Sequence, residues 1–549
     1  MTEFKKVYGI DLGTTYSCIA KIDEHNKAVV MTNSEGERIT PSVVYFEDGG
    51  NRTNVIVGTA AKENSKLYPN DVVSFVKRQM GTDYVFEHSD EEYRAEVISS
   101  LILKKLAKDA EEHTGEKVED VVITVPAYFG LNERQATERA GEIAGLNVLD
   151  IINEPTAAAI SYGITKNVEK KVLVYDLGGG TFDVTLIDIS ESGIEVVVTG
   201  GDQNLGGKNW DDEIIKYLAE QYKEQTGKDE DILEDAETAR DLELNAENAK
   251  KTLSKLQKAP IRFNHGIDSV RVELTREKFE EITAHLLERT IELTNLMLAD
   301  AKRKGEGKDA FDEIVLVGGS TRMPQIEARL IREFNVQPVT FDPDEAVAKG
   351  AALYAMQKAI GKMVDDVLEE NPEKGEGEAI GKVVTTLPPG HTEETVKESI
   401  KRKIINVTSK SFGVVANCRT EEGEKVRRVV NLIYKNDALP KNVTRTFGTT
   451  DDDQETVLLD IREDEYMDEE VELEDARTIG NAILELPAGL SAGAPIEVTF
   501  TLDESGRLEV TGIEVTEKRT VNITIETTSV ITKEEVEEAK KKTAELQII

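Results

Sequence analysis

The chain writes one unusual phrase twice. "VYGIDLGTTYSCIAKID" runs from Val7 to Asp23, and "VYDLGGGTFDVTLIDI" runs from Val174 to Ile189. Each is an apolar strand-like run that ends on an aspartate, then a glycine-bearing turn, a threonine and a second strand-like run. Glycine lets backbone come close to a phosphate and aim N–H groups at its oxygens. A carboxylate at that point can hold Mg²⁺ through the waters that this ion gives up reluctantly. Either copy alone reads equally well as an ordinary Gly-rich hairpin. Two copies in register predict two similar α/β lobes that clamp one polyphosphate from both sides, with Asp11, Gly13, Thr14 and Thr15 on one lobe and Asp176, Gly178 and Thr181 on the other. Other phosphate loops are excluded: there is no G-x-x-x-x-G-K-[ST] stretch, and a strand rather than a helix follows "DLGGGTFD".

Up to about Ala359, strand-like runs alternate with helical stretches. "VEDVVITVPAYF" reads as a buried strand followed by the helix "LNERQATERAGEIAGL", and "DEIVLVGGST" as another strand with a helix from about Met323. That alternation predicts sheets covered by helices. After Met363, "DDVLEENPEKGEGEAIG" is acidic and rich in Gly, which predicts a mobile linker, with a short helix in "TVKESIKRKII". From Val407 to Ile525 the strands are short and alternating, as in "PIEVTFTL" and "RLEVTGIEV", and no helical pattern interrupts them; this predicts an all-β sandwich. Thr532 and Glu535 form a capping box for one closing helix, with Val536, Ala539 and Leu546 on one face. The expected units are residues 1–362, a linker 363–406, a sandwich 407–528 and a helix 529–549.

Charge narrows the partners. Lys plus Arg is 67 and Asp plus Glu is 106, a net charge of −39. Nucleic acid needs a basic face and is not the expected partner. Neither an apolar run long enough to span a membrane nor an export signal is expected. The two cysteines, Cys18 and Cys418, have no CxxC companions and read as reduced thiols of a cytoplasmic protein.

"GIDLGTTYSC", "VYDLGGGTFDVTL", "IVLVGGSTRMPQI", "VVITVPAYF", "IINEPTAAAISYG" and "FDPDEAVAKGAA" together resemble the 70-kilodalton heat-shock chaperone family, the DnaK type, over nearly all of residues 4–359. The resemblance implies an α/β actin-like (duplicated ribonuclease-H-like) ATPase domain that uses ATP or ADP and Mg²⁺. It places Asp11, Asp176 and Asp183 around the hydrated metal. Gly13, Thr14, Thr15, Tyr16, Gly178, Gly179, Gly180 and Thr181 would hold phosphates. Lys77, in "SFVKRQMG", and Glu154, in "NEP", would join Asp11, Asp176 and Thr181 in catalysis. By pattern alone Lys77 is a surface lysine, and Glu154 a cap for the helix beginning at Pro155. Glu247, Lys250, Ser254, Gly319, Ser320, Arg322 and Asp344 would face the nucleoside; by pattern alone they belong to solvated helix faces or loops.

Residues 407–528 resemble the same family's peptide-binding sandwich. The implied apolar slot is Val414, Thr450, Val457, Leu459 and Ile496, whose plain alternative is an ordinary sandwich core. The implied activity is ATP hydrolysis coupled to binding and release of extended apolar segments of unfolded clients. The implied partners are a J-domain co-chaperone and a nucleotide exchange factor. Three departures stand out. The linker is the basic "IKRKIIN" after roughly 40 extra residues, so acidic docking of the usual kind is not expected. Asn417 stands where an apolar residue often arches over the peptide. The last helix is a short remnant of a lid, too small to cover a sandwich end. An actin-like filament protein, a scaffold without a chaperone cycle and a sugar kinase are the rival readings.

Overall fold

In the computed structural model, which describes residues 4–48, 53–166, 169–305, 307–373, 375–419, 423–524 and 530–549, the two phrases open two sheets of one strand order. In the first sheet, Val7–Asp11 runs antiparallel to Tyr16–Ile22, which pairs with Ala28–Val30. On its other side it lies parallel to Asp120–Val125, and that strand parallel to Asn147–Asn153. In the second, Lys170–Leu177 runs antiparallel to Phe182–Ser190 and that strand to Gly193–Asp202. Glu313–Val317 and Val339–Thr340 continue it in parallel on the far side. The central strands are buried on both faces, which is why they read as unbroken apolar runs.

Two helices cross between the sheets, Glu154–Lys166 and Ala346–Glu370. Small residues let them meet backbone to backbone. A Cβ on Gly350 would lie 1.7 Å from the carbonyl oxygen of Ala157, and one on Gly9 would lie 2.1 Å from the Ala352 nitrogen. This contact forms the floor between the lobes. The mouth is walled by the helix Ala236–Leu253 of the second lobe and by the small sheet of the first, Val43–Asp48, Thr53–Val57 and Val72–Ser74.

The β-rich region is a two-sheet sandwich. Glu470–Val471, Lys425–Ile433, Ser411–Arg419, Thr456–Asp464 and Arg477–Glu485 form one sheet, and Lys441–Gly448, Pro495–Leu502, Leu508–Glu514 and Thr520–Thr524 the other. Inward residues of both, among them Ile461, Phe500 and Val510, share one core. The tail of the "TVNITIE" run, from Ile525, lies outside the described residues.

Two expectations are corrected. The stretch read as a mobile linker is mostly ordered structure. The long crossover helix runs on to Glu370, the helices Glu376–Val384 and Glu393–Lys401 pack back on it, and Lys403–Ile405 adds a sixth strand, parallel to Gly193–Asp202. The basic linker docks because backbone makes the bond, with Lys403 N donating to Ser192 O at 3.1 Å. The closing helix, Lys533–Ala544, is capped by Thr532 as expected, but it lies on the first lobe. There Val530, Ile531, Val536 and Ala539 join that lobe's core, and Gln547–Ile548 pairs in parallel with Thr53–Val57.

Gly350→Ala forces a methyl into the Ala157 carbonyl. Overpacking against backbone costs about 1–3 kcal/mol, so calorimetry of the variant should show the melting of the two-lobed region lowered by on the order of 5 °C. An unchanged melting temperature would mean that the crossing relaxes freely.

Candidate functional site

A cavity of 1020 Å³ opens between the lobes, above the crossover helices. The two turns face each other across it. A Cβ on Gly179 would lie 2.1 Å from Thr15 Oγ1, and one on Gly180 would lie 2.2 Å from Thr14 Cγ2. Only glycine permits this approach.

Each turn is fixed from behind. Gly13 N donates to Ser17 Oγ at 3.0 Å, and Ser42 Oγ donates to Gly13 O at 2.7 Å. In the second turn, Gly178 N donates to Thr181 O at 3.1 Å. Gly178 O accepts from Gly207 N at 2.9 Å and from Ser320 Oγ at 2.8 Å. Gly13 and Gly178 therefore spend their own N–H groups on turn geometry. Arg78 reaches over from the first lobe to Gly180 O, with Nη2 at 2.6 Å and Nε at 3.0 Å.

Buried acid lies beneath the turns. Asp176 and Asp183 stand opposite each other in register on adjacent strands. Thr124 Oγ1 donates to Asp11 Oδ1 at 3.4 Å, and Tyr128 N donates to Asp183 Oδ1 at 3.2 Å. Lys77 is no surface lysine: it is 4 % exposed and forms a buried ion pair with Glu154, which begins its helix rather than capping it. Phe75, in the left-handed region at φ 60°, opens the short turn that carries Lys77, a strained backbone of the kind found at functional positions. Burial, and then Glu154, push Asp11 and Asp183 up to about 7. Burial, Glu154, Asp183 and Asp11 push Asp176 well above the ordinary carboxylate range. Four carboxyl groups thus surround one ammonium.

That surplus of buried acid fits a divalent cation. Among the described residues no three acidic, histidine or cysteine side chains stand close enough to hold a bare ion. The donor set therefore suits a hydrated Mg²⁺ met through its waters.

The far end of the cavity is polar and well paired. Lys250 Nζ donates to Asp211 at 2.6 Å and to Gly207 O at 2.7 Å. Ser254 Oγ donates to Lys250 O at 3.0 Å, and Arg322 pairs with Asp344. Glu247 receives Tyr16 OH at 3.1 Å and Lys251 at 2.9 Å, and also pairs with Lys62. Burial alone would raise Glu247, but Lys62 and Lys251 hold it down at about 2.

All the nucleotide-site residues named from the sequence line this cavity except Gly180 and Asp183, which sit just behind it. Sequence reasoning missed Ser17, Ser42, Lys62, Phe75, Arg78, Asp211 and Lys251. Arg78 and Lys251 adjoin residues already named; Lys62 carried no local signal. The sandwich candidates fare differently. Val414, Leu459 and Ile496 are buried in the sandwich core with Val457 packed on it, so here they are core, the plainer of the two expectations. Thr450 lies apart, exposed, its backbone N bonded to Gln454. Asn417 is exposed.

The sandwich is docked on both lobes. Ser409 Oγ donates to Phe129 O at 3.1 Å, Thr199 N donates to Asn436 Oδ1 at 3.0 Å, and Tyr128 OH donates to Glu465, which also holds Lys410 at 2.6 Å. Tyr128 therefore touches the acid cluster with its backbone and the sandwich with its side chain.

A family model described as "Hsp70 protein" matches residues 7–371 and 401–548, leaving out 372–400. The matched residues carry both turns, the acid cluster, Lys77 and the whole sandwich, and with that span the chain belongs to the Hsp70 family.

Proposed function

We propose that this chain is an ATP-hydrolysing chaperone, with an actin-like ATPase domain that drives a peptide-binding sandwich. Hsp70 proteins in general are ATP-dependent chaperones that use ATP and ADP with Mg²⁺. The observation that carries the finer reading is the pair of turns facing each other over Lys77 and the buried acids.

Phosphoryl transfer to water asks for positioning and charge stabilisation rather than covalent chemistry. The hydroxyls of Thr14, Thr15 and Thr181 and the amides of both turns, other than those spent within the turns, hold the phosphates. Asp11, Asp176 and Asp183 would hold a bound Mg²⁺ through its waters, and that ion would offset the charge of the phosphate oxygens. Lys77 leaves Glu154 to meet the γ-phosphate, and Glu154, freed, orients the attacking water. That water bonds to the γ-phosphorus as the bond to the ADP oxygen breaks. Glu247, Lys250 and Ser254 face the nucleoside, with Gly319, Ser320, Arg322 and Asp344.

Tyr128 supports coupling, because a shift of Asp183 pulls on the segment that grips Glu465 and Lys410. The sandwich would take an apolar side chain at the Val457 end of its core, with Val414, Leu459 and Ile496 beneath. Clients would be extended apolar segments of unfolded proteins, and a J-domain co-chaperone and an exchange factor would serve the cycle. Cys18 and Cys418 are free thiols, in keeping with our placing the protein in the cytoplasm. The decisive experiment is release of a fluorescent apolar peptide on mixing with ATP or ADP. Faster release with ATP is expected; equal release would remove the coupling.

Lys77→Ala and Asp176→Asn should each slow single-turnover hydrolysis by on the order of 100-fold. Lys77→Ala should still bind ADP, since its nucleoside contacts lie elsewhere. Near-normal turnover in either variant would sink the site assignment.

Val457→Phe puts a ring where the proposed slot opens. Affinity for the peptide should fall by about tenfold, or about 1.4 kcal/mol. Unchanged anisotropy titrations with a folded variant would place the peptide elsewhere.

A further inference from the structure

The strand Thr456–Asp464 alternates inward and outward, and Leu459 and Ile461 belong to the sandwich core. The next inward place is taken by an acid, the buried Glu463. A charge there is costly unless it is paired. Glu463 meets the first lobe where Gly130 opens the helix Leu131–Ile143. Leu131 of that helix inserts into the sandwich core. Glu133, two residues on, brings a second buried carboxyl group to the same contact.

Among the described residues one cation bonds to both acids. Arg477, on the neighbouring strand Arg477–Glu485, donates from Nε to Glu463 Oε1 at 2.9 Å, with Nη2 on the same oxygen, and from Nη1 to Glu133 Oε1 at 3.4 Å. Each acid thus presents its Oε1 to the guanidinium and keeps a buried Oε2 with no hydrogen-bond partner. The two remaining oxygens converge. A Cβ on Gly130 would lie 3.0 Å from Glu463 Oε2 and 3.1 Å from Glu133 Oε2. The other cations that face the pair are engaged elsewhere. Lys410, from the segment before Ser411–Arg419, holds Glu465 at 2.6 Å. Arg134, on the helix, donates to Phe129 O at 3.2 Å and to Asn153. Two carboxylates against one guanidinium leave an excess negative charge in a buried contact, and one proton removes it. Burial raises Glu463 above the ordinary carboxylate range; Arg477 opposes the rise and Glu133 adds to it.

We propose that Glu133 and Glu463 hold one proton between them, so that acid strengthens the seat of the sandwich on the first lobe. The inference needs neither nucleotide nor peptide and stands apart from the function proposed above. In the unfolded chain both acids are hydrated and titrate at about 4.3. The stabilisation is full below that value and fades as the pH rises through the higher value of the folded pair. Calorimetric melting of the full chain at about pH 8 and about pH 5 tests this, with Glu463→Gln and Glu133→Gln beside the wild type. An amide mimics the protonated acid at every pH. Either variant should therefore melt about 3 °C above the wild type at the higher pH, and the gain should vanish at the lower, where the wild type carries the proton. The double variant strands Arg477 and should lose the gain. Glu474→Gln, which removes one exposed carboxylate of the sandwich, controls for net charge and should shift either melt by less than about 1 °C. Should one of the single variants fail to fold, the other decides. Melting at or below the wild type at both pH values would reduce the acids to partners of Arg477. A gain that does not fade in acid, or that Glu474→Gln reproduces, would be an effect of net charge. Each of these results overturns the shared proton.

Discussion

The two lobes are held apart and together by backbone packed on backbone. Gly9 rests on Ala352, and Gly350 rests on Ala157, with no side chain between. A long side chain can yield by changing rotamer, but a carbonyl cannot, so the floor of the cleft is stiff. The mouth is built in the opposite way. There Lys62 meets Glu247, Lys66 meets Asp241, and Arg240 reaches Val72 O, all through long side chains. The floor of the cleft is thus backbone on backbone, its mouth is spanned by long side chains, and the two glycine turns sit between.

That geometry explains the charge pattern at the centre. Asp11 from one phrase lies near Asp176 and Asp183 from the other, with Glu154 from the crossover helix, and burial strips them of water. One ammonium, Lys77, cannot neutralise four carboxyl groups, which is why burial and mutual repulsion raise Asp11, Asp176 and Asp183 together. The cluster is costly as it stands, and a hydrated divalent cation would offset it.

The residues that the sequence made visible are those whose role is local. An aspartate at a strand end before glycine must sit beside a turn, so Asp11 and Asp176 could be placed from pattern, and the repeat of the phrase implied the cleft. Lys77 and Glu154 could not: their burial arises from elements 77 residues apart meeting in space, and each has an innocent local reading. Lys62 and Asp211 are of the same kind. The sandwich showed the limit from the other side. The resemblance named Val414, Leu459 and Ile496 as a slot, with an ordinary core as the plain alternative, and inward residues of a core and of a slot have the same alternation. The stretch 363–406 was misread because Gly and Glu suggested a linker, while Ala379, Ile380, Val383 and Val396, four small apolar residues among charges, were enough to seat two short helices.

Charge also misled the reading of the domain junction, for a reason that extends to the whole interface. Arg507 with Glu138, Lys358 with Asp150 and Glu504, and Arg477 with Glu133 cross from the sandwich to the lobes or line that border. They look like the basis of docking in a chain of net charge −39. The more exposed pairs, Arg507 with Glu138 and Lys358 with Glu504, are screened by salt and contribute roughly 0–1 kcal/mol each, and the repulsion between two acidic domains is screened with them, whereas the buried carboxylates of Asp150 and Glu133 require their cations. Beside these pairs stand contacts independent of charge: the strand Lys403–Ile405 on the sheet edge, Ser409 on the Phe129 carbonyl, and Asn436 on the Thr199 amide. A strand offers the same N–H and C=O groups whether its side chains are acidic or basic. A basic linker can therefore dock where an acidic one is expected, provided its cations point to solvent, as Lys401 and Lys403 do.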